Sequence, residues 1–276
     1  MSLFPSSLSR SALVTGLRAA GCVFAEDEAE LLISEARSAD DLAAMADRRA
    51  AGLPLEHVLG WAGFCGLRME VDEGVFVPRR RTELLVRQAA ALCRTDAVVL
   101  DLCCGSGAVG AALAASLDGR IELHAADIDP AAVRCARRNV TAAGGHVYEG
   151  DLYEPLPTAL RGRVDVLVAN VPYVPAADVG LLPPEARLHE PRVALDGGAD
   201  GLGVLRRVAA GASGWLVPGG CLLVETSERQ AGEAVDAVAG SGLTPRVAAS
   251  EELSATVVVG TVPARTHSGT THGRRR

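Results

Sequence analysis

Aromatic side chains are scarce: two Trp, three Tyr and four Phe in 276 residues. The 49% hydrophobic fraction therefore rests mainly on Ala, Val and Leu, which is ample for a core but leaves few rings to stack on bases. Basic charge is not in excess either. Twenty-seven Lys and Arg against 34 Asp and Glu give a net charge of −7. Phosphate neutralisation needs a concentrated basic surface, so wholesale nucleic-acid binding is disfavoured. The dense cluster Arg79-Arg80-Arg81 reads by default as solvated surface charge. No apolar run reaches the ~18 residues of a membrane span. Met1 to Arg10 also lacks the basic start and apolar stretch of a signal peptide. The seven Cys, at 22, 65, 93, 103, 104, 135 and 221, show no CxxC pairing and no companion His. They read as reduced thiols of a cytoplasmic protein, with no metal site expected.

Three helices are expected over 5–50 from helical spacing of Leu8, Leu13, Val14 and Leu17, then of Leu31, Leu32 and Ile33, with Ser38 to Asp41 capping the third. From Leu55 the period changes. A short hairpin turned at Cys65-Gly66 is predicted, then an extended lead Gly74 to Pro78. Thr82 is a candidate cap for a helix from about Glu83 to Cys93. Strands are predicted at about 97–102, 121–126, 146–149, 164–169 and 219–225, with helices at 107–117, 130–143, 201–213 and 228–240 between or after them. Two more strands, 244–249 and 255–261, close the pattern. Such alternation specifies an α/β, Rossmann-like fold: a seven-stranded, mostly parallel sheet with helices on both faces and an antiparallel edge. The expected division is a helical module at 1–54, a hairpin linker at 55–78, the α/β domain at 79–262 and a tail at 263–276. The end of that tail is rich in Ser, Thr and Gly, finishes in three Arg, and has the composition of a disordered segment.

Three strand ends carry candidate chemistry. After the strand Ala97 to Leu102, Gly105-Ser106-Gly107 opens a helix, so backbone N–H groups can approach a ligand closely. The spacing is not that of a dinucleotide loop. Asp101 on the strand suits the ammonium of an amino-acid-bearing cofactor, which fits S-adenosylmethionine; a tight turn that only packs strand on helix is the alternative. Asp127 ends the second strand, placed for two ribose hydroxyls, while Asp129 can cap the helix that Pro130 starts. Asp151, after the third, can meet an adenine amine or cap a turn. Asn170-Val171-Pro172-Tyr173 follows the buried strand Val164 to Ala169. An amide nitrogen is a poor nucleophile and needs acceptors that grip its N–H bonds. The Asn170 side-chain oxygen and the Val171 carbonyl are the candidates, with Pro172 stiffening the loop and Tyr173 stacking on a planar group. A Pro-containing turn after a buried strand is the plain alternative. His189 is a weak candidate base, and Glu225 reads as a rim or structural carboxylate.

These residues resemble the HemK/PrmC-type protein-glutamine methyltransferases over roughly 25–261. The likeness is most specific from Asn170 to Gly203, through Val174-Pro175, Leu181 to Glu185, His189 to Arg192 and Ala194 to Leu202. Glu225-Thr226-Ser227 with Gln230, and Gly74 to Arg79 with Thr82-Glu83, add to it. The resemblance implies S-adenosylmethionine-dependent methylation of a glutamine side-chain amide, giving S-adenosylhomocysteine, with a peptide-chain release factor as candidate protein substrate. It implies a cofactor site of Asp101, Cys103, Gly105, Gly107, Asp127, Ile128, Asp151, Leu152 and Asn170, and a catalytic loop of Asn170, Val171, Pro172 and Tyr173. Three departures stand out. Val171 occupies a position that is usually Pro. Arg80-Arg81 replace Pro-Glu in the interdomain motif. The N-terminal helices look short, as though docking helices were missing. A nucleic-acid amino methyltransferase of adenine type and a catalytically silent cofactor-binding protein are the competing readings.

Overall fold

The computed structural model describes residues 9–264; the first turn expected from residue 5, and the tail from 265, lie outside them. The chain opens with four helices: α1 (Arg10–Ala19), α2 (Ala25–Glu35), α3 (Ala39–Ala50) and α4 (Leu55–Leu59). They bury a core of their own around Leu13, Leu17, Leu32, Ala46 and Val58. Ser38 caps α3 as expected, its side chain accepting from the Asp41 N–H. α4 falls inside the segment expected to lead the hairpin. Five residues are too few for periodicity to register, yet Val58 packs into the helical core. The helical region is thus fuller than its sequence suggested.

A two-stranded antiparallel hairpin follows, β1 (Trp61–Phe64) and β2 (Leu67–Glu70). Cys65 and Gly66 both have positive φ at the predicted turn. After an extended stretch the chain enters a short 3₁₀ turn at Arg80–Thr82 and then α5 (Glu83–Ala90). Thr82 does not cap α5. Its backbone is already helical and its hydroxyl makes no cap bond, because the 3₁₀ turn has moved the helix start upstream.

The alternation then runs β3 (Ala97–Leu102), α6 (Ala108–Ser116), β4 (Ile121–Asp127), α7 (Pro130–Ala142), β5 (His146–Glu149), β6 (Val164–Ala169), α8 (Pro184–His189), α9 (Gly203–Ala212), β7 (Leu216–Thr226), α10 (Ala231–Gly240), β8 (Thr244–Ser250) and β9 (Ala255–Thr261). The seven strands order as β5-β4-β3-β6-β7-β9-β8. Every pair from β5 through β7 is parallel, and β9 runs antiparallel to both β7 and β8. Every residue of β3 is buried, as a central strand covered on both faces requires. One core lies under α5, α6 and α7, the other under α9 and α10. Asp129 caps α7 by accepting from the Ala131 N–H, with Pro130 in the first turn. α9 starts two residues later than predicted because Gly201 is left-handed, φ 79°. Glu228–Gln230 forms a 3₁₀ turn before α10. Among the described residues no helix is long and apolar enough to cross a membrane.

The N-terminal helices are fastened to the rest of the chain by ionic and polar contacts. Arg49, with its side chain 8% exposed, pairs through Nε with Glu28 at 2.6 Å and through Nη1 with Glu185 at 2.7 Å. Glu185 sits on α8, beside the cavity described below. His57 Nε2 meets the Val75 carbonyl at 2.8 Å, and Arg68 of the hairpin forks onto Glu35. A buried ion pair broken on one side leaves an uncompensated charge. Arg49→Met should therefore lower the unfolding free energy by about 3–5 kcal/mol, read as a shift in the urea midpoint.

Candidate active site

Two registers place the site. In the parallel pairing of β3 with β6, Leu102 lies opposite Ala169. In that of β3 with β4, Leu102 lies opposite Ala126. The three strand ends thus release their loops side by side, and β3 and β6 flank the point where the strand order reverses. Open α/β sheets bind ligands in that crevice. Here it holds a cavity of about 710 Å³, within the usual range of ligand pockets.

One end of the cavity is formed by the loop after β3. Cys103 at φ 54°, Gly105 at φ 55° and Gly107 at φ 77° are all left-handed, so the chain turns sharply from strand into α6. Gly105 N–H donates to Asp127 Oδ2 at 2.8 Å, and the Asp129 N–H donates to Oδ1 at 2.9 Å. Asp127 therefore braces the glycine loop while still lining the cavity. Asp101 accepts from the Gly110 N–H at 2.9 Å. Burial pushes its carboxyl up to about 7, against the pull of that hydrogen bond. Asp127 is likewise raised by burial. Asp151 lines the cavity too, but its carboxylate is held by Arg207 of α9 at 2.6 Å.

Asp101, Cys103, Gly105, Asp127, Ile128, Asp151, Leu152, Asn170, Val171, Pro172 and Tyr173 all line this one cavity. Gly107 does not. A Cβ there would meet Val140 Cγ2 at 2.6 Å and the Ala136 backbone at 3.2 Å, so this glycine lets α6 pack on α7. The cavity suits S-adenosylmethionine: a tight glycine loop, a carboxylate at the end of each of two neighbouring strands, and low-dielectric acidic walls for a cation. Within it, Asp101 and the loop backbone would hold the amino-acid end, Asp127 the ribose, and Asp151 with Leu152 and Ile128 the adenine.

The other end is the loop after β6. Val171 is 1% exposed and packs into the α9 core, so its side chain anchors the loop to the interior. No group among the described residues donates to the Val171 carbonyl. Several contacts lock the loop from behind. Gln230 Nε2 donates to the carbonyls of Tyr173 and Asp200, each at 3.0 Å, while its Oε1 accepts from Ser227 at 2.6 Å. A Cβ on Gly201 would lie 2.3 Å from the Tyr173 carbonyl, and one on Gly197 would lie 2.6 Å from that of Pro172. The run Asp196 to Leu202 is thus a close-fitting backing for the loop.

The arginine cluster departs from its expected reading. Arg80 alone behaves as surface charge, 3.6 Å from exposed Glu252. Arg79 pairs with Glu190, which also accepts from the Val77 N–H at 3.2 Å. Arg81 lies 3.4 Å from Glu225 and 5.8 Å from the centre of the Tyr173 ring. Glu225 is 2% exposed and accepts from the Tyr173 hydroxyl at 3.4 Å. It is an interior carboxylate behind the loop, not part of the rim, and burial raises its pKa as it does that of Glu190. The Tyr173 phenol is pushed up to about 12 by the same burial and by Glu225, so it stays protonated. His189 does not line the cavity. Sequence reading passed over Arg207 and the ends of Phe64, Phe76 and Leu253, which reach the cavity from remote elements; no local spacing marks them.

This sheet order, with a glycine loop and an amide-bearing loop at the switch point, defines a class I, Rossmann-like methyltransferase. The profile described as "Methyltransferase small domain" matches residues 67–184. A methyltransferase from Pyrococcus furiosus has the same fold, with a TM-score of 0.53 over 72% of this chain and 90% of its own at 15% identity. The release factor glutamine methyltransferase of Streptomyces coelicolor is 40% identical over 190 residues, 67% of each chain. That of Mycolicibacterium smegmatis is 38% identical over 208 residues, 75% of this chain and 73% of its own. The chain therefore belongs to the release factor glutamine methyltransferase family, whose methyl donor is S-adenosylmethionine. The match to the Geobacter sulfurreducens relative, 42% identical, spans 64% of that protein's length, just under two thirds.

Asp101 yields a pH test. The folded protein keeps this proton to about pH 7, whereas an unfolded Asp loses it near ~3.9. Its contribution to stability is thus complete at low pH and is lost as pH rises through that window. Relative to Asp101→Asn, the wild type should lose up to about 1.4 kcal/mol per pH unit between about pH 4 and 7. Parallel denaturation profiles for the two proteins across that range would refute this assignment.

Proposed function

We propose that this chain transfers the methyl group of S-adenosylmethionine to the side-chain amide nitrogen of a glutamine in a peptide-chain release factor. The observation that carries the reading is the juxtaposition of the glycine loop and the Asn170–Tyr173 loop in one cavity. The names of the relatives supply the substrate class.

When bound, S-adenosylmethionine supplies an electrophilic methyl on a sulfonium. The protein's task is to present a weak nucleophile to it. Asn170 Oδ1 and the Val171 carbonyl accept the two N–H bonds of the substrate amide, which turns the nitrogen lone pair toward the cofactor end. Tyr173, protonated and held by Glu225 and Arg81, packs against the amide plane. No base of tuned pKa is required at the nitrogen. As the nitrogen gains the methyl it gives up one of its two protons to water; the accepting oxygens orient the N–H bonds and stay unprotonated. Positioning of this kind can remove ~7–11 kcal/mol from a barrier, and fixed dipoles in a dry site add to it. Val171 in place of a ring keeps the accepting carbonyl, since the main chain supplies it.

The surface near the cavity favours a protein partner over a nucleic acid. Leu181, Leu188 and Val193 stand 82%, 63% and 50% exposed along the segment beyond the loop, and the chain's net charge is −7. The division into a helical module, a hairpin linker and a catalytic domain is part of the same proposal, with α4 drawn into the helical module. Asn170→Ala should reduce turnover by about 10²–10³-fold, as loss of one aimed dipole does elsewhere, and weaken S-adenosylmethionine binding in calorimetry by far less than that. Undiminished turnover on a recombinant release factor would overturn the role given to the loop.

A further inference from the structure

A loop can present two acceptors at a fixed spacing only if it is held on both sides of them. On one side the Asn170–Tyr173 loop is anchored by Val171, whose side chain is buried in the α9 core. Pro172 has no N–H with which to make a second anchor. The main-chain carbonyl of Tyr173 is the next handle along the chain. Among the described residues no backbone N–H donates to it.

Gln230 meets that carbonyl from the 3₁₀ turn after β7, 57 residues further along the chain. Its Nε2 donates to the Tyr173 and Asp200 carbonyls, each at 3.0 Å, and its Oε1 accepts from Ser227 Oγ at 2.6 Å. A glutamine amide has two ends of nearly equal size, and here the partners decide between them. Main-chain carbonyls only accept, so the end that faces two of them is the NH2 group. Ser227 then finds the oxygen. The same contact explains the neighbouring glycine. Gly201 has φ 79°, and a Cβ on it would lie 2.3 Å from the Tyr173 carbonyl oxygen and 2.4 Å from Gln230 Nε2. A side chain at 201 would part the two.

We propose that Gln230 is a positioning residue for methyl transfer. By clamping the Tyr173 carbonyl to that of Asp200, it holds the Asn170 and Val171 oxygens at the spacing that grips the substrate amide. This rests on the reading that the loop grips that amide. One side chain thus ties three segments: the loop after β6, the run Asp196 to Leu202 and the turn after β7. Gln230 does not line the cavity, so it acts through the loop.

The test is steady-state kinetics across pH on the full chain, with S-adenosylmethionine and a recombinant release factor. Gln230→Glu keeps the shape and exchanges the donor for a carboxyl. Ionised, that carboxyl opposes both carbonyls; protonated, it donates to one of them. Its pKa therefore lies above the ordinary ~4.3 of a glutamate. At about pH 8, where it is ionised, kcat should fall about 10–10²-fold, the scale of a small misplacement remote from the chemistry. KM for the release factor should not change. The ratio of variant to wild-type kcat should then climb as pH falls toward about 5. Titrations the two proteins share cancel in that ratio, and Asp200 is held down at about 2 by its hydrogen bond from Arg206. Gln230→Leu should show the loss without the recovery. In both variants S-adenosylhomocysteine affinity, read by calorimetry, should fall far less than kcat. Full kcat in Gln230→Glu at about pH 8, a loss carried by KM, or a ratio that stays flat with pH would sink the proposal. If Asn170→Ala itself keeps full turnover, the function reading fails instead. Should Gln230→Glu not fold, Gly201→Ala replaces it. Its added methyl drives Gln230 from the Tyr173 carbonyl, so the same fall in kcat at constant KM is expected, and unchanged kcat would refute the idea.

Discussion

The register of β3 against β6 is the constraint on which the site depends. With Leu102 opposite Ala169 and Ala126, the glycine loop, the Asp127 corner and the Asn170 loop emerge at one level of the sheet. A slip of one residue in a parallel pair would turn every side chain of β6 to the other face. β6 is buried along nearly its whole length, so either face is apolar and the register is held by the pairing on both sides. The chemistry inherits its alignment from main-chain hydrogen bonds, which no single loop residue could impose.

Around that crevice the protein gathers carboxylates and takes water away from them. Asp101, Asp127, Glu190 and Glu225 are all raised by burial. Two of them face arginines from one short segment, Arg79 and Arg81. The two without an arginine stand on the cofactor side, where a ligand carrying a sulfonium and an ammonium would supply the missing positive charge. Coulomb interactions gain strength as the effective dielectric falls, so the same burial that makes these acids costly when empty makes them effective when a cation arrives. The arginine pairs serve the other loop, where the ligand is a neutral amide and charge must be balanced within the protein.

Departures from the family pattern find physical places. Val171 packs as a core residue while its carbonyl stays without a donor among the described residues. Arg81 enters an ion pair behind Tyr173, and Arg80 stays at the surface. The four N-terminal helices form their own core and meet the cavity rim through the Arg49–Glu185 pair. A partner seated on those helices would therefore press on the same segment that lines the cavity.

Local patterns made much of this legible. Alternating strand and helix periods gave the sheet, Ser38 and Asp129 announced their helices, and the strand-end residues Asp101, Asp127, Asp151 and Asn170 stood out because chemistry in such folds sits at strand ends. Each depends on neighbours within a few residues, which sequence displays directly. Short α4 escaped because a single turn has no measurable period. Thr82 departs from its expected capping place for a related reason: its hydroxyl meets the Asn170 side chain, 88 residues away, instead of a nearby N–H. Arg81 with Glu225, Arg207 with Asp151, and Gln230 with Tyr173 belong to the same kind. By itself the sequence determined the main alternation of strands and helices and the class of fold, with short α4 and α8 outside its reach, because backbone preference and hydrophobic period are local. The tertiary structure alone decided which charges are buried, which pair, and which remote side chains back the two loops, because those follow from distances across the sheet that no spacing along the chain encodes.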